Sequence, residues 1–290
     1  MNSALLRRLR KIRESVRVIG TGNAAVVEAS RGLFRVGLKL PFKIRLRPND
    51  GFFPLELRLG TSDADVFRQI FVERQYARAF IQDFCPSLIV DCGANAGYSS
   101  AFFLASFPDC RVIAVEPEPL NAALCAANLT LYGSRAIVIN AAIWGHCCDL
   151  SIDRDAKDQS NWAIRVRPAE LGQSAIPALD IPEIMRLAGT EHIDLLKIDV
   201  EGSETDLFTD SCHAWLPKVR NLSIELHGPE SGKVFYSAMA RYRYELEQCG
   251  EIVNCRNISP IAIYNGRLPT AMSSAGNAEL VHEPRDPGEG

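Results

Sequence analysis

No run of eighteen apolar residues occurs in the 290-residue chain, so no segment reads as a membrane-crossing helix. Residues 1–20 lack the uninterrupted apolar core of a secretory leader. There is no C-x-x-C pair among the nine cysteines, their number is odd, and several fall inside apolar strand or helix patterns. A disulfide framework and a zinc site are therefore disfavoured, and reduced thiols in a reducing compartment, the cytoplasm, are expected. Neither a G-x-G-x-x-G dinucleotide loop nor a G-x-x-x-x-G-K-[ST] phosphate loop is present. Internal repeats are also missing. Acidic residues are scarce at the front: up to Arg47 only Glu14 and Glu28 face twelve lysines and arginines, a balance of +10 against −13 for the remainder. Such a split fits contact with an anionic surface as well as it fits a solvated basic face. The basic residues lack interleaved aromatics, which argues against nucleic acid.

What is there is ordinary for a globular protein, with 47% hydrophobic and 23% charged residues, enough for one good core. Leu5, Leu9, Ile12, Val16 and Ile19 recur at helical spacing with arginines opposite, the look of an interfacial anchor, a mitochondrial presequence or a helix docked on the domain. Alternating runs around Leu38–Leu40, Lys43–Arg47 and Leu55–Leu59, with a turn at Pro48–Gly51, predict a hairpin. Thr61-Ser62-Asp63 then caps a helix expected to reach about Asp83. From Leu88 the pattern alternates: strands at 88–92, 111–116, 136–141, 193–199 and 221–227, and helices near 97–106, 118–131, 180–188 and 203–211. Strands this continuously apolar imply a parallel sheet covered by helices on both faces, an α/β doubly wound fold. Residues 145–175 read as an irregular excursion, 232–249 as a late helix, and 251–264 as a final strand pair. The expected organisation is a basic extension over 1–60, a main domain over 61–270 and a disordered tail over 271–290.

Polar signatures gather at the strand ends, where ligands bind in open parallel sheets. Asp91 ends the first strand, Glu116 the second, Asn140-Ala141-Ala142 the third, Asp199-Val200-Glu201-Gly202 the fourth and Glu225-Leu226-His227 the fifth. Gly93 and Gly97 bring bare backbone close to a ligand. Asp91 would repel a pyrophosphate, and Glu116 is placed to accept from ribose hydroxyls. A ligand with ribose, adenine and an amino-acid cation fits, and S-adenosylmethionine is that ligand.

These segments together resemble the FkbM-type family of S-adenosylmethionine-dependent methyltransferases. The likeness runs from about Leu57 to Gly228 through Val90-Asp91-Cys92-Gly93-Ala94-Asn95-Ala96-Gly97, Val115-Glu116-Pro117, Asn140-Ala141-Ala142 and Leu179-Asp180. Lys197-Ile198-Asp199-Val200-Glu201-Gly202 followed by Glu225-Leu226-His227 discriminates best. The resemblance implies the seven-stranded class I methyltransferase sheet and O-methylation of a sugar, glycan, glycosylated or polyketide-like hydroxyl. It implies that Asp91, Gly93, Ala94, Asn95 and Gly97 cradle the methionine part and ribose. Glu116 then holds the ribose, Pro117, Asn140 and Ala141 line the adenine site, and Asp199 faces the amino group or the reacting centre.

A hydroxyl needs a base as the new bond forms. The candidates are His227, Asp199, Glu225 and Glu201, with His227 favoured because imidazole titrates near neutrality. No metal is expected, a hard ion on Asp199, Glu201 and Glu225 being the lesser option. Asn161-Trp162 is a candidate acceptor platform, and the excursion and hairpin are expected to wall the acceptor site. The alternatives are an N- or carboxyl-methyltransferase and a non-catalytic module tethered to a membrane through residues 1–20.

Overall fold

The structure, a computed structural model, describes residues 3–48, 52–76, 84–152, 166–169, 175–261 and 278–280. The main sheet runs in the order β14-β12-β13-β11-β10-β3-β4-β5. Its members are β3 (Leu88–Cys92), β4 (Arg111–Val115), β5 (Ala136–Ile139), β10 (Leu195–Ile198), β11 (Leu222–Glu225), β12 (Tyr242–Cys249), β13 (Ile252–Pro260) and β14 (Ala278–Leu280). Strands β5, β4, β3, β10 and β11 are mutually parallel, while β13 enters antiparallel between β11 and β12. Chain order runs outward from β3 to β5, then crosses back to β10. That reversal leaves a crevice between the ends of β3 and β10. The expected doubly wound, mostly parallel sheet is what forms.

Burial follows the alternation of each strand. Ile89, Val112 and Ala114 pack into one core, and Leu88, Val90, Ile113 and Val115 into the other. The first core is shared by α2 (Asp63–Phe71), α3 (Tyr98–Ser106) and α4 (Pro119–Leu129), the second by α5 (Ile181–Ala188) and α7 (Pro229–Met239). Asp180 caps α5 by accepting the Glu183 N–H at 2.8 Å.

The long first helix, α1 (Ser3–Arg35), breaks its helical geometry at Gly20. Ile19, Ala24 and Val27 are buried in the first core, and Arg31 pairs with Asp65 of α2. The second half of α1 is thus a docked helix. The side chains of Leu5 and Leu9 lie outside the described residues. The hairpin forms as β1 (Lys43–Leu46) and β2 (Leu55–Arg58), antiparallel, with Leu46, Leu55 and Leu57 turned inward.

Five expectations need correction. The helix from Asp63 stops at Phe71, because Arg74 adopts a left-handed φ of 53° and Arg68 turns its guanidinium to Glu73. Leu38–Leu40 forms no strand. The late helix divides into α7 and β12, since buried Tyr242 and Tyr244 alternate with outward Arg243 and Glu245. Residues 252–260 form one long strand paired with β12 rather than a strand pair of their own. The excursion organises as a second sheet, β6 (Ala142–Ile143), β9 (Ile176–Leu179), β7 (Cys148–Ile152) and β8 (Val166–Pro168), in that order. Asn161 and Trp162 lie outside the described residues, as does most of the segment from Met272.

Candidate functional site

At the end of β3 the chain turns through Gly93, whose φ is 77°. A Cβ there would stand 1.7 Å from the Asp199 carbonyl oxygen, so only glycine lets the two strand ends approach. The N–H groups of Gly93 and Ala94 both donate to the Val115 carbonyl, at 2.9 and 3.1 Å, tying the loop to β4. Asn128 braces the loop from behind: its amide donates to the Ala96 carbonyl at 2.8 Å and its oxygen accepts the Glu56 N–H at 2.6 Å. The hairpin therefore supports the loop's back.

Glu116 follows β4 and is buried. Its Oε2 accepts the Asn95 N–H at 2.8 Å and its Oε1 the Glu118 N–H at 3.0 Å. Burial pushes its carboxyl up to about 7 even though the Glu118, Asn95 and Asn121 donors act to lower it. Asn140, past β5, donates to the carbonyls of Glu116 and Pro117 at 2.8 and 3.0 Å and so holds that turn.

The other half of the site belongs to β10 and β11, held level by pairing of Ile198 with Ile224. Lys197 is buried under the glycine turn. Its Nζ donates to the Gly93 carbonyl at 2.8 Å and lies 3.0 Å from Asp91 Oδ1 and 3.6 Å from Asp199 Oδ2. Asp91 is fully buried, and Ser99 and Ser100 each donate to its Oδ2 at 2.6 Å. Burial opposes the Lys197 charge, but Asp91 chiefly, with Asp199, holds its ammonium well above the usual range.

His227, just beyond β11, is enclosed by carboxylates. Its Nδ1 lies 2.7 Å from Glu204 Oε1, while Nε2 faces Glu201 at 3.5 Å and Asp199 and Glu225 at 3.8 Å each. Glu204 opens the short helix α6 (Glu204–Leu207) and is fully buried, with Ser231 Oγ donating to it at 3.2 Å. Burial lowers the His227 pKa, yet the Glu204 hydrogen bond and the Glu201, Glu204 and Asp199 charges outweigh it and raise the ring to about 9. Glu225 is pushed up to about 7 by burial and then by Asp199. Glu201 sits in the left-handed region, φ 51°, an uncommon backbone for a residue with a Cβ.

One pocket of about 280 Å³ joins these halves at the carboxyl ends of β3, β4, β10 and β11. Gly93, Ala94, Asn95, Glu116 and Pro117 line one part of it, and Asp199, Glu201, Glu225 and His227 another. Asp91, Gly97, Asn140 and Ala141 do not line it. Asp91 is turned into the ion pair with Lys197, Gly97 packs against Cys125, Asn140 clamps the Glu116 turn, and Ala141 is buried. Val66, Ile70 and Tyr76, with Val166 of β8, form the wall in place of the hairpin. Two site residues went unassigned from sequence. Lys197 is flagged as a lysine inside an apolar strand, whereas Glu204 resembles any first-turn acid.

The profile of the methyltransferase FkbM domain matches residues 91–253, more than half of the chain. The AMB antimetabolite synthetase AmbE of Pseudomonas aeruginosa is 28% identical over 207 residues, covering 58% of this chain and 10% of its own length. Methyltransferase sdnD of Sordaria araneosa is 25% identical over 198 residues, 57% of this chain and 74% of the relative. The 2-O-methyltransferase NoeI of Sinorhizobium fredii is 29% identical over 185 residues, 59% and 71% respectively. The chain thus spans a tenth of the first relative and just over two thirds of the other two. A solved methyltransferase from Geobacter sulfurreducens aligns over 68% of this chain and 79% of its own, at 14% identity and a TM-score of 0.38. The chain belongs to the FkbM methyltransferase family, and S-adenosylmethionine is its methyl donor.

Proposed function

We propose that the protein methylates a hydroxyl oxygen on a sugar, a glycan or a glycosylated or polyketide-like metabolite. The observation that carries the proposal is the division of one pocket between a glycine turn and a cluster of carboxylates around an imidazole. The glycine side suits the donor. Asn95 Oδ1 is buried and lacks a hydrogen-bond partner among the described residues, leaving an acceptor for an ammonium or ribose hydroxyl. Glu116 would accept from the ribose while keeping its main-chain donors, with Pro117 against the adenine. Gly93 and Ala94 would flank the methionine part. Asp91, Gly97, Asn140 and Ala141 act from behind, as positioning residues.

The donor supplies an electrophilic sulfonium methyl, so the chain has to orient the acceptor and remove its proton. Orientation alone is worth roughly 7–11 kcal/mol when nucleophile and methyl are held in line. We assign the proton to Glu225, which ends β11 and lines the pocket. His227 is the weaker base: Glu204 occupies its Nδ1, and the three carboxylates facing Nε2 favour a protonated ring. Asp199 is half engaged by Lys197 and is assigned to positioning. What supports oxygen over nitrogen or a carboxyl group is this concentration of proton acceptors and the 29% identity to NoeI, named a 2-O-methyltransferase.

Transfer of labelled methyl from S-adenosylmethionine to a panel of glycans, amines and acids tests the proposal. A label that survives mild alkali on a hydroxyl acceptor, and that Glu225→Gln removes, is expected. An alkali-labile ester or labelled amine would overturn it.

A further inference from the structure

We propose that Asp199, Glu201 and His227 form a binding site for one divalent cation. Its existence rests on geometry alone; its role rests on the methyl-transfer proposal above.

The distances around His227 Nε2 are wrong for hydrogen bonds. His227 Nε2 lies 3.5 Å from Glu201 Oε2 and 3.8 Å from both Asp199 Oδ1 and Glu225 Oε1. An N–H···O bond spans about 2.7–3.2 Å, and a single N–H cannot serve three oxygens. Donor atoms around one ion, by contrast, stand roughly 3.0–3.7 Å apart when adjacent, at metal–ligand distances of about 2.0–2.6 Å. The donor atoms of Asp199, Glu201 and His227 all lie within 4.8 Å of one another, the only such group of three among the described residues. They surround a point more than they bond each other.

The surroundings orient that set. Glu204 holds the far ring nitrogen of His227 at 2.7 Å and is itself fully buried, with Ser231 Oγ on its other oxygen. A carboxylate behind the imidazole fixes the ring and leaves Nε2 facing outward, the arrangement in which a histidine ligates a metal once the cation displaces the Nε2 proton to solvent. Lys197 draws Asp199 Oδ2 away at 3.6 Å, leaving Oδ1 turned toward His227. The three side chains retain 18–32% of their exposure and line the pocket, so an ion there keeps open positions. One imidazole with two carboxylates suits Mn²⁺ better than Mg²⁺, since nitrogen favours the first-row ion. With the acceptor hydroxyl on an open position, the cation would acidify it as a Lewis acid beside Glu225.

Mn²⁺ titrated into the chelator-treated full chain, followed by electron paramagnetic resonance, tests the site. One saturable ion per chain is expected, with pulsed spectra carrying the nitrogen coupling of one imidazole. Glu201→Gln and Asp199→Asn should weaken binding at least about tenfold, and Glu204→Gln about 10–100-fold. His227→Ala should remove the nitrogen coupling, and Glu230→Gln, on the exposed face of α7, should change nothing. Thermal melts verify that each variant folds, and Glu201→Gln decides if His227→Ala does not. No saturable binding up to millimolar Mn²⁺, or binding without nitrogen coupling, would overturn the site. Calorimetry with S-adenosylhomocysteine runs alongside: S-adenosylhomocysteine binding with no saturable Mn²⁺ binding sinks the cation alone, and Mn²⁺ binding with no S-adenosylhomocysteine binding sinks the methyl-transfer proposal alone.

Discussion

The two ends of the pocket are built on opposite terms. Around Gly93–Gly97 and Glu116 the polar groups bond to one another: main-chain donors fill both Glu116 oxygens, and Val115 takes two N–H groups. Around His227 the carboxylates converge on a shared space at 3.5–3.8 Å without closing onto each other. One end is therefore shape, fixed by backbone and intolerant of change. The other is chemistry, whose groups are tied down at their backs through Glu204 and Lys197. Substitutions at the first end should unfold or unseat, and those at the second should silence without unfolding.

Gly93→Ala gives the largest effect. The new Cβ would collide with the Asp199 backbone at a positive φ, so urea unfolding should report a loss above about 4 kcal/mol, and S-adenosylhomocysteine binding should vanish. Lys197→Met comes next, since it strands Asp91 in the core; the cost should be about 3–5 kcal/mol. The double variant Asp91→Asn/Lys197→Met should recover much of that, and no recovery would mean the pair is not the source. Glu225→Gln should lower kcat by about 10²–10⁴-fold in single-turnover assays with stability unchanged. The smallest effect is a pH slope. Because the folded Glu116 carboxyl sits near 7 against an ordinary 4.5, its contribution to stability is full below about pH 4.5 and is lost as pH rises through about 7. Melting temperature should fall over that window, and Glu116→Gln should flatten part of the fall.

The parallel core was readable because apolar runs such as Leu88–Cys92 and Leu195–Ile198 are buried on both faces, which leaves a local signature. The site's position followed, since strand ends carry it. What escaped was made by distance in sequence. Lys197 meets Asp91 across 106 positions, and Glu204 meets His227 across 23, so neither partnership leaves a local pattern. His227 reads as a neutral base in sequence, and its four carboxylate neighbours become visible only when β10 and β11 are set side by side. The second sheet was missed for a related reason: β7 pairs with β9 across a gap, and prolines at 168 and 177 hide the strand pattern.

Calorimetric titration with S-adenosylhomocysteine, comparing the natural chain with Glu116→Ala and Glu225→Gln, tests the division of the pocket most directly. Binding lost in Glu116→Ala and kept in Glu225→Gln is the predicted result. Equal loss in both, or in neither, would contradict a donor end and an acceptor end.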